Sequence, residues 1–355
     1  MKVPSPAEVT PATSVPSSAP VIVALVGYGY WGPNLLRNYM ELPGAWLKTV
    51  CDQRPETLDK LAVRFPRIQR TTRFSEVLAD PEIDAVLIAT PISTHYSLAK
   101  AALAAGKHVF VEKPMTADPT QARELIGLAA SAGRTLMVGH TFVFSPPVRK
   151  VKELIDAGEL GDIYYITTQR VNLGLHQSDV SVIWDLAPHD LSILYYWLGE
   201  AARSVSVNGR GCIVPATPDV AFINLKFPSG VVALVQVSWL SPVKLRRTVV
   251  VGSRKMLIYD DTENVEKVKI FDHGVDYRDP GDFGEFQLSY RTGDILAPKI
   301  SAVEPLYLEA QHFVESIVTH QEPAANGEVG RQVVASLAAA EASLSDGGRE
   351  VSIDL

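Results

Sequence analysis

The sequence predicts a two-domain α/β protein: a doubly wound parallel sheet, then an α+β domain with a large, mostly antiparallel open sheet. Three observations carry this. The 355 residues exceed what one hydrophobic core usually organises. From Val21 to about residue 142, short apolar runs alternate with helical stretches, the pattern of strands joined by crossover helices. Beyond about residue 202 the alternation becomes period two, with turn residues between runs, as in a meander.

The elements follow in order. VIVALV (Val21 to Val26) is a continuous β-branched run, expected of a strand buried on both faces. A helix PNLLRNYME follows the GYGYWG turn, with Pro33 in its first turn, where a missing N–H costs nothing. WLKTVC then runs into Asp52, a helix spans Pro55 to Phe65, and a strand spans Ala85 to Thr90. HYSLAKAALAAG is helical, HVFVEKP a strand, PTQARELIGLAASAG helical and TLMVGH a strand. The second half opens with the helix PPVRKVKELIDAG, which leads through GDIYYITTQRVNLG to a helix around WDLAPHDLSILYYWLG. VAFINLKF, VVALVQVSW, RRTVVVGS and KMLIYDD read as meander strands, and LYLEAQHFVESIV and RQVVASLAAAEASL as closing helices. The expected domains are 21–142 and 143–355, preceded by a disordered Pro/Ser/Ala/Thr-rich tail over residues 1–20 that lacks the apolar core of a secretion signal.

The totals exclude several classes of function. A net charge of −7 argues against a nucleic-acid surface, which needs clustered Lys and Arg. No apolar run approaches the roughly 18 residues of a membrane span. Cys51 and Cys212 form no CxxC pair, so neither a disulfide framework nor a thiolate zinc site is expected, which fits a reducing cytoplasm.

Gly27, Gly29 and Gly32 form G-x-G-x-x-G directly after the first strand and before a helix. In that context the triplet is the phosphate turn of a Rossmann dinucleotide-binding domain. Gly27 permits the tight turn, Gly29 lets backbone approach the pyrophosphate, and Gly32 lets helix pack on strand. The helix N-terminus offers free N–H groups to phosphate. Asp52, closing the next strand, is placed to accept hydrogen bonds from the adenosine ribose; its charge disfavours a 2′-phosphate, so NAD is expected over NADP. Two readings of Arg54 stay open, a partner for a 2′-phosphate or a solvated loop cation. Tyr30 and Trp31 are expected to pack around the cofactor.

GYGYWG, ATPISTH (Ala89 to His95), EKP (Glu112 to Pro114) and WDLAPHD (Trp184 to Asp190) occur in the order and spacing of one family. From Val21 to Leu355 the chain resembles the Gfo/Idh/MocA oxidoreductases, named after glucose–fructose oxidoreductase and inositol dehydrogenase. The resemblance implies a catalytic lysine at Lys113, a cis bond from Lys113 to Pro114, and the Asp-x-x-x-His pair at Asp185 and His189. It also implies a loop of Thr90, Pro91, Thr94 and His95 beside the nicotinamide ribose, with Glu112 facing that end of the cofactor.

The chemistry agrees. Taking a hydride from a secondary carbinol needs a base for the hydroxyl proton and a donor to orient the oxygen. Asp185 and His189 lie four apart, on one helix face. An unperturbed imidazole titrates near pH 6.5, suited to accepting a proton, and a desolvated Lys113 should donate or relay one. No metal is required. Asp185 could also serve as a helix N-cap. His140, Arg170, Asn172 and Trp184 are further candidate substrate contacts, His140 with an equal reading as a core histidine. Trp239, Lys244 and Arg246 either line the pocket or face another subunit; His312 reads as a packing residue and DDTEN as a solvated turn.

The expected activity is hydride transfer between NAD(P) and a secondary alcohol or ketone of a nucleotide sugar, an aminosugar unit or a cyclitol. An inositol dehydrogenase and a non-catalytic NAD-binding regulator are the alternatives. A large open sheet usually needs covering, so a homodimer or homotetramer through the second domain is expected.

Overall fold

The computed structural model describes residues 19–174, 176, 180–278 and 287–355. The tail expected over residues 1–20 therefore lies, for residues 1–18, outside the described residues. The first half contains β1 (Val21–Val26), α1 (Gly32–Glu41), β2 (Ala45–Cys51), α2 (Pro55–Arg64), β3 (Gln69–Thr71), α3 (Phe74–Ala79), β4 (Ala85–Ile88), α4 (Ile92–Ala104), β5 (His108–Glu112), α5 (Pro119–Ala132) and β6 (Leu136–Gly139). Its strands pair in parallel in the order β3-β2-β1-β4-β5-β6. The order reverses between β1 and β4, so the loops at their carboxyl ends diverge and leave a crevice for a ligand.

β1 is apolar throughout because both of its faces are covered. Val23 and Leu25 pack with Leu35, Leu36 and Tyr39 of α1, while Ala24 and Val26 join Leu103, Leu125 and Ala129 on the other side. Local signals set the helix ends. Asp118 caps α5 by accepting from the Thr120 N–H at 2.6 Å, and Gly133 ends it at φ 60°.

A 3₁₀ turn (Thr141–Phe144) leads into α6 (Pro146–Asp156), β7 (Ile163–Val171), α7 (Val182–Leu198), β8 (Ser204–Arg210), β9 (Val220–Lys226), β10 (Val232–Ser238), β11 (Leu245–Gly252), β12 (Met256–Asp260), β13 (Val268–Arg278), β14 (Gln287–Leu296), α8 (Pro305–Thr319), α9 (Gly327–Ser345) and β15 (Val351–Ser352). Among the described residues these strands form a nine-stranded sheet, β14-β13-β12-β11-β7-β10-β9-β8-β15. Its pairings are antiparallel except β7 with β10. One face is buried through Ile166, Ile223, Val235, Val250 and Leu257. The opposite face carries Tyr165, Phe222 and Val232, all at least 40% exposed.

The C-terminal helices return to the first sheet. Leu306, Ala310, Phe313 and Val314 of α8 share a core with β1 and α1, and Phe313 meets Phe110 of β5 edge-on at 5.8 Å. Among the described residues no helix is long and apolar enough to cross a membrane.

Candidate functional site

A cleft of about 1040 Å³ lies between the carboxyl edge of the parallel sheet, the start of α7 and the start of α8. Its dinucleotide side is built by the glycine turn. Gly27 has φ +93°, and a Cβ there would sit 2.5 Å from the Ala89 carbonyl oxygen. A Cβ on Gly32 would lie 2.5 Å from the Gly27 carbonyl, so the helix start rests directly on the turn. At Gly29 the nearest atom to a Cβ would be Arg54 Nη2 at 3.9 Å, leaving that side open to a ligand. Trp31 precedes α1 without a side-chain capping bond, so the first-turn N–H groups are not taken by a side-chain cap. Tyr30 and Trp31 line the cleft, Tyr30 at 93% exposure.

Asp52 is buried at the end of β2, where its carboxylate accepts from Tyr28 N (2.8 Å), Arg54 N (2.9 Å), Arg54 Nε (3.0 Å) and Arg54 Nη2 (2.9 Å). Burial alone would raise its pKa, but these hydrogen bonds hold it below the usual carboxylate value. Arg54 is thus not a loose loop cation: its guanidinium is folded onto Asp52, while its side chain stays 54% exposed.

At the other end, Thr90 lines the cleft with its hydroxyl 2.7 Å from that of Thr94, which donates to the Pro91 carbonyl at 2.8 Å and so accepts from Thr90. His95 departs from expectation. It is 1% exposed, and its ring nitrogens lie 2.8 Å from the Pro114 and Thr90 carbonyls. It ties two loops together from beneath and does not reach the cleft. Glu112 does reach it, with Oε1 buried and without a partner. Burial pushes its pKa up to about 7, against the pull of Lys113. An unpaired carboxylate oxygen beside a glycine turn and a helix terminus fits the residues to a dinucleotide.

The Lys113-Pro114 bond is cis. Lys113 Nζ donates to the Asp185 main-chain carbonyl at 2.8 Å and stands 3.6 Å from Asp185 Oδ1. Pro188, inside α7, brings no N–H to the Trp184 carbonyl and so loosens the turn whose next carbonyl receives the lysine. Asp185 lies in the first turn of α7, after the N-cap Ser181, so it is not itself the cap. His189 follows one turn later on the cleft wall, edge-on to Phe142 at 5.1 Å. Burial depresses the pKa of Lys113, opposed by Asp185 and Glu112. Burial, then the charges of Lys113, Arg170 and Arg246, hold His189 well below the usual imidazole value. His189 is therefore neutral at pH 7 and a weaker base than an unperturbed imidazole.

Three expected substrate contacts lie elsewhere. His140 is 1% exposed with its ring in the core, and burial lowers its pKa to about 3. Arg170 is buried beneath Phe142 and pairs with Asp190 through Nε (2.7 Å) and Nη2 (3.2 Å). Trp184 faces away toward α9, where its Nε1 donates to Glu341 at 3.1 Å. Asn172 does line the cleft, as do Trp239 and Arg246, whereas Lys244 does not. His312 packs as expected, against Phe144. In DDTEN, Asp260 is buried rather than solvated, and Asp261 lines the cleft with Arg246 Nη1 at 3.3 Å. Thr141, Phe142 and Glu304 are cleft residues that sequence reasoning missed; each adjoins an element whose fold-back no local pattern reveals.

Residues 21–140 match the family described as "Oxidoreductase family, NAD-binding Rossmann fold", and residues 148–258 match the "GFO/IDH/MocA C-terminal domain". The uncharacterized oxidoreductase YrbE of Bacillus subtilis is 26% identical over 61% of this chain, which spans 66% of YrbE. The scyllo-inositol 2-dehydrogenase (NAD(+)) of the same organism is 31% identical over 62% of this chain and 67% of its own length. The UDP-N-acetylglucosamine 3-dehydrogenase of Acidithiobacillus ferrooxidans is 27% identical over 88% of this chain and 93% of its own. Among solved structures, a putative oxidoreductase from Magnetospirillum magnetotacticum MS-1 is 29% identical with TM-score 0.77, covering 91% of this chain and all of that one. GenD2 from gentamicin A biosynthesis, solved with NAD, shares the fold at TM-score 0.82 and 24% identity over 98% of this chain and all of its own. With both domains matched, and with Lys113, Asp185 and His189 gathered at a cleft that Tyr30 and Trp31 of the glycine turn also line, this chain belongs to the GFO/IDH/MocA family of oxidoreductases and its first domain is an NAD-binding Rossmann fold.

Proposed function

We propose that the protein interconverts a secondary alcohol and a ketone on a sugar or cyclitol, using Lys113, Asp185 and His189 as its acid–base set. The observation that carries this reading is the convergence of Lys113 Nζ, the Asp185 carboxylate and the His189 ring on the cleft that the glycine turn opens into. NAD, when bound, supplies the two-electron acceptor. Burial lowers the pKa of Lys113 and so makes its free amine, the form that takes the hydroxyl proton as the carbonyl forms, easier to reach. Asp185 holds that amine in place and stabilises the ammonium that results. His189, kept neutral and with Nδ1 buried, fixes the substrate oxygen through Nε2 alone.

The substrate end of the cleft is polar, with Asn172, Arg246 and Asp261 on its walls, as a hydroxyl-rich ring requires. The relative aligned along 88% of the chain is named for a nucleotide sugar, and the one at 31% identity for a cyclitol. Those names set the panel to test: UDP-N-acetylglucosamine and scyllo-inositol, followed by NADH absorbance. Lys113→Met should lower kcat by about 10² to 10⁴ while leaving the Kd for NAD⁺ within about threefold, because lysine acts on the reacting oxygen and not on the dinucleotide. Near-normal kcat in that variant would defeat the assignment. Tight NAD⁺ binding with no turnover of any sugar would favour a regulator instead.

Two finer points belong to the same reading. Asp52, held ionised at the ribose position, favours NAD over NADP. A second copy of the chain covers the open face of the nine-stranded sheet, where Val232 stands exposed opposite Tyr165 and Phe222 is exposed on the same face opposite Gln236.

A further inference from the structure

We propose that Trp239 is a positioning residue for the reaction: its indole N–H fixes the rotamer of Asp185, so that one carboxylate oxygen is held for Lys113. The inference rests on the reading of Asp185 given above. Trp239 Nε1 donates to Asp185 Oδ2 at 3.0 Å, while the other oxygen, Oδ1, faces Lys113 Nζ at 3.6 Å. A carboxylate with one oxygen committed to a fixed donor can no longer rotate, so its second oxygen has a defined direction.

The indole is unusually constrained for a residue just beyond a strand end. Trp239 is 1% exposed. Its main-chain N–H donates to the Asp219 carbonyl at 2.9 Å, and its carbonyl accepts from Gly174 N at 2.9 Å. The backbone of Gly174 presses on the ring edge: a Cβ there would lie 2.9 Å from Trp239 Cδ1. The ring of His176 covers the indole at 5.2 Å between centroids, and His176 Nε2 is 3.6 Å from the buried carboxylate of Asp219. Asp219 is itself pinned by the N–H groups of Cys212 and Ile213. Strand, loop and histidine together hold one N–H bond at one place, and that place is Asp185. Core packing alone would require the bulk of Trp239 but not the direction of its N–H. The titratable groups that share the cleft with Asp185 are Glu112 and Lys113 at the end of β5, His189 one turn along α7, and Arg246, Asp261 and Glu304 on the other walls.

The test separates bulk from direction. Trp239→Phe keeps the ring and removes the donor. In the NAD⁺ holoenzyme, labelled with ¹⁵N indole, five tryptophan N–H resonances are expected from the five tryptophans. The one missing in Trp239→Phe should be displaced downfield, and it should move in Asp185→Asn. With whichever sugar of the panel yields NADH, Trp239→Phe should lose on the order of ten- to a hundredfold in kcat, with the KM for NAD⁺ little changed. Gly174→Ala provides a second route: its Cβ pushes the indole aside without deleting the N–H, so kcat should fall and the same resonance should shift. An indole signal indifferent to Asp185→Asn would show that the bond is not made, and the proposal fails. A normal kcat in both Trp239→Phe and Gly174→Ala would show that the bond does not position the reaction, and it fails again. Should Asp185→Asn keep full kcat, the assigned role of Asp185 is wrong and this inference falls with it; loss in Asp185→Asn alone, without loss in the other two, overturns the inference and spares the reading.

Discussion

Replacing Asp190 by alanine tests whether Arg170 serves the substrate or the fold. Both side chains are buried, at 6% and 4% exposure, and the carboxylate accepts from Arg170 Nε (2.7 Å), Arg170 Nη2 (3.2 Å) and Thr168 Oγ1 (2.8 Å). Removing it strands a guanidinium that cannot deprotonate inside the domain and leaves one hydroxyl unpaired. Breaking a buried pair from one side costs about 3–5 kcal/mol, far more than the pair adds when intact. At about 2–4 °C per kcal/mol for a domain of this size, Tm should fall by about 6–20 °C. Thermal unfolding followed by near-ultraviolet circular dichroism, with and without NAD⁺, measures it. The double variant Arg170→Met, Asp190→Leu should recover most of the loss, since it removes both charges and keeps the volume. Because Arg170 also stacks on Phe142 at 4.5 Å, and Phe142 meets His189, a secondary loss of kcat is expected in the alanine variant. A Tm within about 2 °C of wild type, joined to a large rise in substrate KM, would refute the argument and return Arg170 to the substrate.

Two further predictions follow from the proposed function. Arg54→Ala removes the cation lying on Asp52, so NADP⁺ should bind about tenfold more weakly, the worth of one charge-assisted hydrogen bond, with NAD⁺ little affected; isothermal titration that still finds NADP⁺ the tighter ligand would show that Asp52 does not select the cofactor. Phe222→Asp places a charge on the open sheet face and should convert an oligomer to monomer in sedimentation velocity; a wild-type chain that already sediments as a monomer rules out the proposed assembly.

The parallel sheet was legible because its central strands are buried on both faces and show as apolar runs, as in VIVALV and AVLI, with β2 interrupted by Lys48 and Thr49. β3 was not, since Gln69–Thr71 has no apolar residue and is a strand only by pairing with the edge of β2. β13 and β14 escaped for a related reason: runs such as VKIFDHGVDYR mix charge and glycine, and their strand state comes from partners. At the site, the glycine turn and Asp52 were readable from spacing, and Lys113, Asp185 and His189 from the family resemblance. Direction was not. His140 and Trp184 sit next to cleft residues in sequence but turn away from the cleft, and one residue of offset decides which side a ring faces; His95 and Arg170 are likewise buried. Glu304 was invisible because it reaches the cleft only through the return of α8.

That return bears on why the proposed acid–base set is preassembled. Lys113 belongs to the parallel sheet, while Asp185 and His189 belong to a helix of the other domain, so a small relative displacement would break the 2.8 Å bond from Lys113 Nζ to the Asp185 carbonyl. Domains joined by a modest polar interface are expected to move against each other. Here the interface is a shared core. Phe313 of α8 lies on Phe110 of β5, Arg37 of α1 pairs with Glu304 at 2.6 Å, and Val138 of β6 donates to the Ala325 carbonyl at 2.8 Å between α8 and α9. α9 continues the same wall, where Gly330 has no room for a Cβ, which would lie 2.6 Å from Val138 Cγ2. The last third of the chain thus clamps the first sheet at its carboxyl edge, beside the residues it must hold in register with α7. Hydride transfer is steeply sensitive to the approach of the reacting atoms. A clamp made of buried aromatic and aliphatic contacts fixes that approach at the level of the domains, leaving Trp239, Asp185 and Lys113 to set it at the level of single atoms.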